Sequence, residues 1–386
     1  MSVTAARGFL ASGVACGIKP EGLDLAVVLA DQPAVTAAVF TRNQFAAAPV
    51  QIDRESLRAG RLKRGVVVNS GCANAATGER GHANGLGMAA ALATEIGCEP
   101  REILVCSTGT IGPQLPMDCV GAGIVAAVSQ VLSEASGGTD AATAIMTTDS
   151  RPKQAIVECD GWVIGGMAKG SGMVRPNMAT MLAFITTDAI VEADLFQGVL
   201  SGAADATFNS LNIDGCESTN DTVIAMASGA SGIAPAPAEL VAAMEDVCRD
   251  LALQMASDAE GATRVVTIDV TGARDDDSAR YLGRLVTDSA LVRSSFYGGD
   301  PNWGRLVGAL GTATMEIDPD AVTVAYQGVD VFAGGIQPDF DESVLLAGME
   351  EGDLAVSIRI GNGPGVAHIV TTDLTPEYVV FNGERS

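Results

Sequence analysis

The chain alternates short apolar runs, rich in β-branched residues, with longer Ala-rich stretches. Apolar runs of about four to eight residues bounded by Gly, Asn or Asp are typical of strands. Runs of this kind in the first half are DLAVVLA, AVTAAVF, RGVVVNSG, EILVCSTG and QAIVECDGWVIGGMA. The Ala-rich segments NGLGMAAALATEIG and MDCVGAGIVAAVSQVLSEAS have the length of helices. This alternation predicts a fold that mixes helices with strands.

The second half repeats the pattern. Apolar residues at helical spacing predict helices in EADLFQGVLSGAADATFNSL and APAELVAAMEDVCRDLALQMASD. Strands are predicted in ATRVVTIDVTGA, in VTVAYQGVDVFAGG and in AVSIRIGNGPGVAHIVTTDLT, the last as a hairpin around a Gly-rich turn. The segments SEASGGTDAA and SGASGIAPAPAE are predicted to be loops. The fold class is therefore α+β (mixed α/β), with several antiparallel strand pairs.

Length and composition narrow the class of protein. The 386 residues, 47% hydrophobic with 45 Gly, suit one large or two fused α/β units. The formal charge of −24 repels phosphate groups, which argues against nucleic-acid and anionic-membrane partners. The first residues do not have the pattern of a signal peptide, and no apolar run approaches the ~20 residues of a membrane-spanning helix. We expect a cytoplasmic protein.

The motifs of cofactor and metal chemistry are missing from the sequence. The eight Cys form no C-x-x-C pair, which favours reduced thiols, and His82 and His368 are far apart. The sequence contains no G-x-x-x-x-G-K-[ST], no H-E-x-x-H, no G-x-S-x-G and no convincing G-x-G-x-x-G. An enzyme with this sequence is therefore expected to use a nucleophile of its own and no cofactor.

The stretch AKGSGMVRPNMATMLAFITT, from Ala168 to Thr187, offers one such nucleophile. Thr180 stands where a polar, Gly-rich segment meets a strand-like apolar run, so it could simply begin a buried strand. A threonine hydroxyl can also attack the preceding carbonyl, here that of Ala179, and the cleavage that follows frees an α-amine able to serve as its base. A free α-amine has a pKa of about 7.7–8.0, so part of it is unprotonated near neutral pH. From the residues alone, both interpretations remain open.

A set of ordered blocks resembles the ornithine acetyltransferase family, also called glutamate N-acetyltransferase. The block KGSGMVRPNMATML is similar to the self-cleavage segment of that family. Further similar blocks span the chain: GIKPEGLDLAVV, AAVFTRN, NSGCANAATG, CSTGTIG, IMTTDSRPK, STNDTV, SDAEGATR, DPNWGR and DLTPEYVVFN. We interpret STNDTV as a polar turn before a buried strand and DPNWGR as a Pro-Asn turn anchored by Trp303.

The resemblance implies both a fold and a reaction. The implied fold is an N-terminal-nucleophile-like αββα sandwich with a smaller C-terminal α/β portion. Cleavage between Ala179 and Thr180 would give an α chain, 1–179, and a β chain, 180–386, intertwined in one fold and paired as an α2β2 heterotetramer. The implied activity moves acetyl from N2-acetyl-L-ornithine to L-glutamate through an acetyl-threonine. Some members of the family also take acetyl from acetyl-CoA.

The resemblance also implies the site residues. Thr180 is the nucleophile, and Thr108 with Gly109 stabilises the oxyanion. The substrate contacts are carried over to Thr147 (or its neighbour Thr148), Lys169, Thr180, Glu260, Asn382 and Ser386. Glu260 is expected to bind a substrate amine, and Lys169 a carboxylate. The chain departs from the family pattern at Cys72, at Arg175 and in its last residues, where Ser386 falls about one position short.

Other functions agree with the same residues. A hydrolase with an N-terminal nucleophile, an aminopeptidase or amidase, would share the fold and the cleavage. A self-cleaving but inactive paralogue, or an uncleaved structural protein, would share less of the chemistry. Acetate release in the absence of glutamate distinguishes the hydrolase from a transferase, and a denaturing gel identifies an uncleaved chain.

Overall fold

The structure is a computed structural model that describes residues 2–175, 181–350 and 352–383. Thr180, Ala179 and Ser386 lie outside these ranges. The strands within them are β1 (Phe9–Val14), β2 (Leu25–Phe40), β3 (Leu62–Asn69), β4 (Ile103–Ser107), β5 (Lys153–Glu158), β6 (Val163–Lys169), β7 (Leu182–Thr187), β8 (Leu211–Asn212), β9 (Thr222–Ala227), β10 (Val265–Ala273), β11 (Thr323–Tyr326), β12 (Val329–Ala333), β13 (Leu354–Arg359) and β14 (Gly365–Thr372).

The α-helices in the same ranges separate these strands along the chain. They are α1 (Ala48–Ala59), α2 (Gly78–Ile96), α3 (Met117–Ser129), α4 (Ala135–Ala144), α5 (Ala193–Ala206), α6 (Pro237–Ser257), α7 (Asp276–Thr287), α8 (Ala290–Tyr297), α9 (Trp303–Leu310), α10 (Glu342–Glu350) and α11 (Pro376–Gly383). No helix in the described ranges is both long and apolar enough to span a membrane.

The chain divides into two compact units. The first unit contains Met1–Asn209 and Cys216–Met255, and the second unit contains Ser210–Gly215 and Ala256–Ser386. Each unit has its own mixed sheet with helices against it. The predicted mixed α/β class is confirmed, and the second unit is the smaller C-terminal α/β portion.

The sheet of the first unit has the order β4-β3-β2-β9-β7-β6-β5, with β1 also paired to β2. The two runs DLAVVLA and AVTAAVF form one strand, β2, whose register with β3 shifts between Leu29 and Ala34. The residues 31–33 at this irregularity are exposed. Strand β1 pairs with the part of β2 before the irregularity, and β9 pairs with the part after the irregularity. The sheet therefore consists of two halves joined through β2.

Side chains alternate between the two faces of the strands, as a period of two requires. Val66 and Val68 of β3 point into a core that also contains Phe184 and Met226 from the other half of the sheet. Val67 points the other way, into a cluster with residues of α1, α2 and α3. A Cβ on Gly166 of β6 would contact residues of α6. The layers are thus helix, sheet, sheet, helix, as predicted for the sandwich.

The prediction of a loop at SEASGGTDAA is wrong. Residues 135–144 of that region form α4, which is separate from α3 because α3 ends at Ser129. A Cβ on Gly13 of β1 would overlap the Asp140 carbonyl, and a Cβ on Gly137 would overlap the Ala11 carbonyl. The glycines, which suggest a loop in the sequence, allow this helix to pack closely on a strand. The loop predicted at SGASGIAPAPAE is confirmed up to the start of α6 at Pro237.

The sheet of the second unit has the order β12-β11-β13-β10-β14-β8. The predicted hairpin of the last two strands is wrong, because β10 lies between β13 and β14 and pairs with both. The turn in DPNWGR is confirmed: the Asn302 side chain accepts from the Arg305 N–H and caps α9. Trp303 stacks on Phe332 with ring centres 5.0 Å apart.

Candidate functional site

Thr108 and Gly109 follow β4 directly, and we call them the donor turn. Thr108 is buried, and its N–H donates to the Asn69 carbonyl at 3.0 Å. Gly109 is exposed and has φ +125°; a Cβ there would lie 2.7 Å from the Cys72 nitrogen. Within the described ranges no group pairs with the Gly109 N–H or the Thr108 hydroxyl. These two groups, and not the Thr108 N–H, are the donors that the turn offers.

A second loop holds the donor turn in place. Asn69, the last residue of β3, accepts from the Ser107 hydroxyl at 2.6 Å and donates to the Cys72 carbonyl at 2.8 Å. Isolated bridges join Cys72 to Thr108 and to Thr110. The Asn-rich block NSGCANAATG and the block CSTGTIG are therefore interlocked, and the close approach of their backbones requires Gly at 109.

A third segment, Ser218–Asp221, connects the donor turn with the residue after Thr180, and we call it the linking turn. The Asn220 side chain donates to the Ala73 carbonyl at 2.6 Å and to the Ser107 carbonyl at 2.8 Å. Asp221 Oδ1 accepts from the Met181 N–H at 3.0 Å. Asn220 therefore binds the loops next to the donor turn, and its neighbour Asp221 binds the residue that follows position 180.

A buried charged cluster contains the predicted residue Lys169 at the end of β6. Asp149 Oδ1 accepts from Lys153 Nζ at 2.6 Å and from the Gly170 N–H at 2.7 Å. Burial opposes the charge on Asp149, but Lys169, Lys153 and the Gly170 N–H outweigh it and lower the Asp149 pKa to about 2. The Asp149 carboxylate is therefore stabilised by two lysines and a backbone N–H.

The structure brings Thr147 and the donor turn to the same region of the first unit. The Thr147 N–H donates to Asp149 Oδ2 at 3.1 Å. Lys19 Nζ donates to the Met146 carbonyl at 3.1 Å, and a Cβ on Gly71 would touch the Lys19 side chain. Since Gly71 also lies against Gly109, Lys19 bridges from the donor turn to the loop of Thr147.

Thr148, the alternative to Thr147, makes a different contact. Its hydroxyl lies 2.7 Å from the Ser171 hydroxyl, just beyond β6. The Thr147 contact thus lies within the loop, whereas the Thr148 contact joins the loop to the segment after β6. The side chain of Thr147 is half-buried, and that of Thr148 is exposed.

Glu260 and Asn382 are brought together in the second unit. The Asn382 side chain donates to Glu260 Oε2 at 3.1 Å and to the Tyr378 carbonyl at 3.0 Å. Next to Glu260, Gly261 has φ +66°, and a Cβ there would overlap the Tyr378 nitrogen. The carboxylate is therefore held against α11, with one of its oxygens bonded to the predicted amide.

Sequence reasoning missed four residues of the first unit: Lys19, Asp149, Asn220 and Asp221. Asp149 and Asp221 stand in blocks that are visible in the sequence, IMTTDSRPK and STNDTV. The signal that could have found Asp221 is an acidic residue directly before a largely apolar strand, TVIAMA. Asp149 gives no comparable signal, because Lys153 and Lys169 become its partners only in the folded chain.

A turn that presents a backbone N–H and a hydroxyl as donors is a feature of enzymes that transfer acyl groups. The sequence profile of the ArgJ family matches residues 10–386. The arginine biosynthesis bifunctional protein ArgJ of Mycolicibacterium paratuberculosis is 48% identical over all of this chain and 96% of its own length. That of Thermobifida fusca is 45% identical over the whole of both chains. The chain belongs to the ArgJ family, so it is an enzyme of arginine biosynthesis, an acetyltransferase.

A solved structure is similar over part of the chain. It is that of ornithine acetyltransferase from Mycobacterium tuberculosis in complex with ornithine, and it is 45% identical to this chain. The match covers 45% of this chain and 94% of the other, with a TM-score of 0.44.

Proposed function

We propose that this enzyme transfers the acetyl group of N2-acetyl-L-ornithine to L-glutamate through an acetyl ester of Thr180. The proposal includes a self-cleavage between Ala179 and Thr180 that prepares the nucleophile. The observation that carries it is the linking turn: Asn220 bonds Ser107, the residue directly before the donor turn, and Asp221 bonds Met181, the residue directly after Thr180. A nucleophile and its oxyanion donors must be held in one frame, and this turn supplies that frame.

The cleavage proceeds by an acyl shift. The Thr180 hydroxyl attacks the Ala179 carbonyl, its proton is transferred to the Thr180 nitrogen, and an ester replaces the peptide bond. Water then hydrolyses the ester, which leaves a carboxylate on Ala179 and a free amine and hydroxyl on Thr180. The new amine acts as the base for the hydroxyl in every later turnover.

The transfer takes two steps. In the first, the Thr180 hydroxyl attacks the acetyl carbonyl of N-acetylornithine, and ornithine leaves as a protonated amine. In the second, the α-amine of glutamate attacks the ester and releases the hydroxyl. Each step passes through a tetrahedral oxyanion, for which Gly109 N–H and the Thr108 hydroxyl are the proposed donors. A covalent intermediate of this kind gives ping-pong kinetics.

The charged groups suit amino-acid substrates. Lys169 is proposed to bind a substrate carboxylate and Thr147 to contact the substrate, because both are linked to Asp149, Lys169 by charge and Thr147 by its N–H. Glu260 is proposed to bind a substrate amine, and Asn382, bonded to one of its oxygens, to orient it. Ser386 completes the proposed set of substrate contacts.

The relatives are named bifunctional, which supports a second proposal. We propose that the enzyme also acetylates glutamate from acetyl-CoA, with acetyl-CoA as a substrate and no bound cofactor. We further propose that the cleaved chains assemble as an α2β2 heterotetramer in the cytoplasm.

The test is a denaturing gel followed by an assay of the same preparations. The wild type is expected to give two bands, for 1–179 and 180–386, while Thr180→Ala gives one band and no activity, because it lacks the hydroxyl for either reaction. The matched control Thr187→Ala removes a threonine of the next strand and should give two bands. A wild type that stays as one band after long incubation would contradict the cleavage.

The assay separates transfer from hydrolysis. With N-acetylornithine and glutamate, the wild type is expected to form N-acetylglutamate and ornithine in equal amounts. Without glutamate, the release of acetate should be much slower. A hydrolase would release acetate at the same rate in both mixtures, and an inactive paralogue would leave acetylornithine intact after cleavage.

A further inference from the structure

Asp221 has a carboxyl group whose second oxygen is buried without a partner. The residue is 0% exposed, and Oδ1 accepts from the Met181 N–H. Within the described ranges Oδ2 makes no hydrogen bond. Burying a polar atom without a partner usually costs about 1–3 kcal/mol, so such an atom calls for a function.

Two groups lie next to the carboxyl group, the Thr41 hydroxyl and the backbone of Ser218. The Thr41 hydroxyl faces the carboxyl group but donates to the Ser218 carbonyl at 2.7 Å. Burial is the largest influence on the Asp221 pKa and raises it well above its usual range. The Met181 N–H, the charge of Lys169, Thr41 and Ser218 act in the opposite direction. A carboxyl group in this environment can carry a proton and can also give it up.

Covalent geometry brings the carboxyl group close to residue 180. The Met181 nitrogen is bonded to the carbonyl carbon of Thr180, so it lies about 2.4 Å from the Thr180 α-carbon. The Thr180 nitrogen and the Thr180 side chain are both attached to that α-carbon. The Asp221 carboxyl group therefore bonds, at 3.0 Å, the nitrogen that is joined to Thr180 by the peptide bond directly after the proposed cut.

We propose that Asp221 carries the proton in the self-cleavage at Thr180, taking it from the threonine hydroxyl and delivering it to the departing nitrogen. The inference rests on the proposed function. The Oγ–H bond breaks as the bond from Oγ to the Ala179 carbonyl carbon forms, and the Ala179 C–N bond breaks as the nitrogen receives the proton. Asp221 begins as the carboxylate, carries the proton as the neutral acid and is a carboxylate again when the nitrogen has received it, so no other reactant is needed until water hydrolyses the ester.

Two variants separate this role from a structural one. Asp221→Asn keeps an oxygen that can accept from the Met181 N–H but cannot carry the proton. Asp221→Glu keeps the carboxyl group in a longer side chain. A proton carrier predicts faster cleavage in the Glu variant than in the Asn variant, whereas an anchor for the Met181 N–H alone predicts the reverse.

The control is Asp53→Asn, in α1. Asp53 is also fully buried, its Oδ1 also accepts one backbone N–H, that of Val105, and burial also raises its pKa well above the usual range. Because Asp53 belongs neither to the donor turn nor to the linking turn, its variant reports only the cost of replacing a buried carboxyl group.

The experiment measures cleavage of freshly synthesised full-length chains, sampled over time from cell-free translation on a denaturing gel. We expect Asp221→Asn to slow cleavage by ~10²–10⁴-fold, the usual range for a proton-transfer group, and Asp221→Glu to slow it less. Asp53→Asn should cleave like the wild type. If Asp221→Asn is too unstable to fold, the Glu variant decides: a folded Glu variant slowed by less than ~10²-fold supports the proposal, and one slowed by ~10²-fold or more overturns it.

The outcomes distinguish the two hypotheses. A wild type that cleaves normally, together with an Asn variant that matches it, overturns the role of Asp221 and leaves the proposed function intact. A wild type that does not cleave overturns both. Cleavage in the order wild type, Glu variant, Asn variant supports both.

Discussion

Gly109 combines an open donor with a close backbone contact. Its φ of +125° lies in a region that residues with a side chain rarely adopt, and its α-carbon lies against the backbone of Gly71 and Cys72. Because Gly109 has no side chain, its N–H can be exposed at the end of β4 while the backbone of Gly71 and Cys72 packs closely against its α-carbon. The geometry of the donor turn therefore depends on a single residue type.

Gly109→Ala is expected to lower kcat/KM for N-acetylornithine by ~10²–10³-fold, the usual loss for one oxyanion donor. The added Cβ would overlap the Gly71 backbone and displace the N–H. The control is Gly112→Ala, which has a similar φ of +107° but open space around it, so that it tests backbone strain alone. Thermal melting should show the backbone strain in both variants, and steady-state kinetics should show the loss of activity only in Gly109→Ala.

Strand β1 and helix α4 show how elements are joined in the first unit. Gly13 of the strand faces the backbone of the helix, and Gly137 of the helix faces the backbone of the strand. Since neither has a side chain, the two backbones approach more closely than larger residues would allow. This contact fixes α4 against the sheet and buries Ala141, Ala142 and Ala144 in the shared core.

Gly13→Ala is expected to destabilise the protein by about 1–3 kcal/mol, since the added methyl group meets helix backbone that cannot move aside easily. The control Gly198→Ala lies on the exposed face of α5 with open space around it. It should raise stability by up to about 1 kcal/mol, because Ala favours helices. Urea unfolding of both variants measures the difference, and equal midpoints would contradict the close packing.

The sheet of the first unit interleaves segments from both sides of position 180. Strands β7 and β9, which follow that position, lie between β2 and β6, which precede it. Lys169 at the end of β6 pairs with Leu182 at the start of β7, and β2 pairs with β9 over six residues. Separating the two pieces would require breaking the middle of a buried sheet, so a cut at position 180 would not divide the fold.

The cleaved pieces are therefore expected to co-elute in native size-exclusion chromatography and to separate only in denaturant. For the proposed α2β2 assembly, light scattering should give near twice the 39.2 kDa of one chain. Uncleaved Thr180→Ala serves as the reference for the intact fold. Pieces that separate in native buffer would contradict the pairing of β2 with β9 and of β6 with β7.

The local pattern of the chain was enough to predict most elements and the class of fold. The apolar runs became strands because a period of two is a property of the residues themselves, as in Val66 to Val68 of β3. The absence of cofactor motifs and the ordered blocks also pointed to Thr180, Thr108 and Gly109. These inferences need only neighbours in the sequence, or similarity to a family.

The folded chain decided what depends on distant partners. The glycines of α4 suggested a loop because the strand that Gly137 contacts is more than a hundred residues away, and β10 lies between two strands that look like a hairpin. Asp221 looked like part of a turn, because its link to Met181 spans forty positions and that of Asn220 to Ser107 spans 113. Contacts of this kind are set by packing and burial, which no local pattern contains.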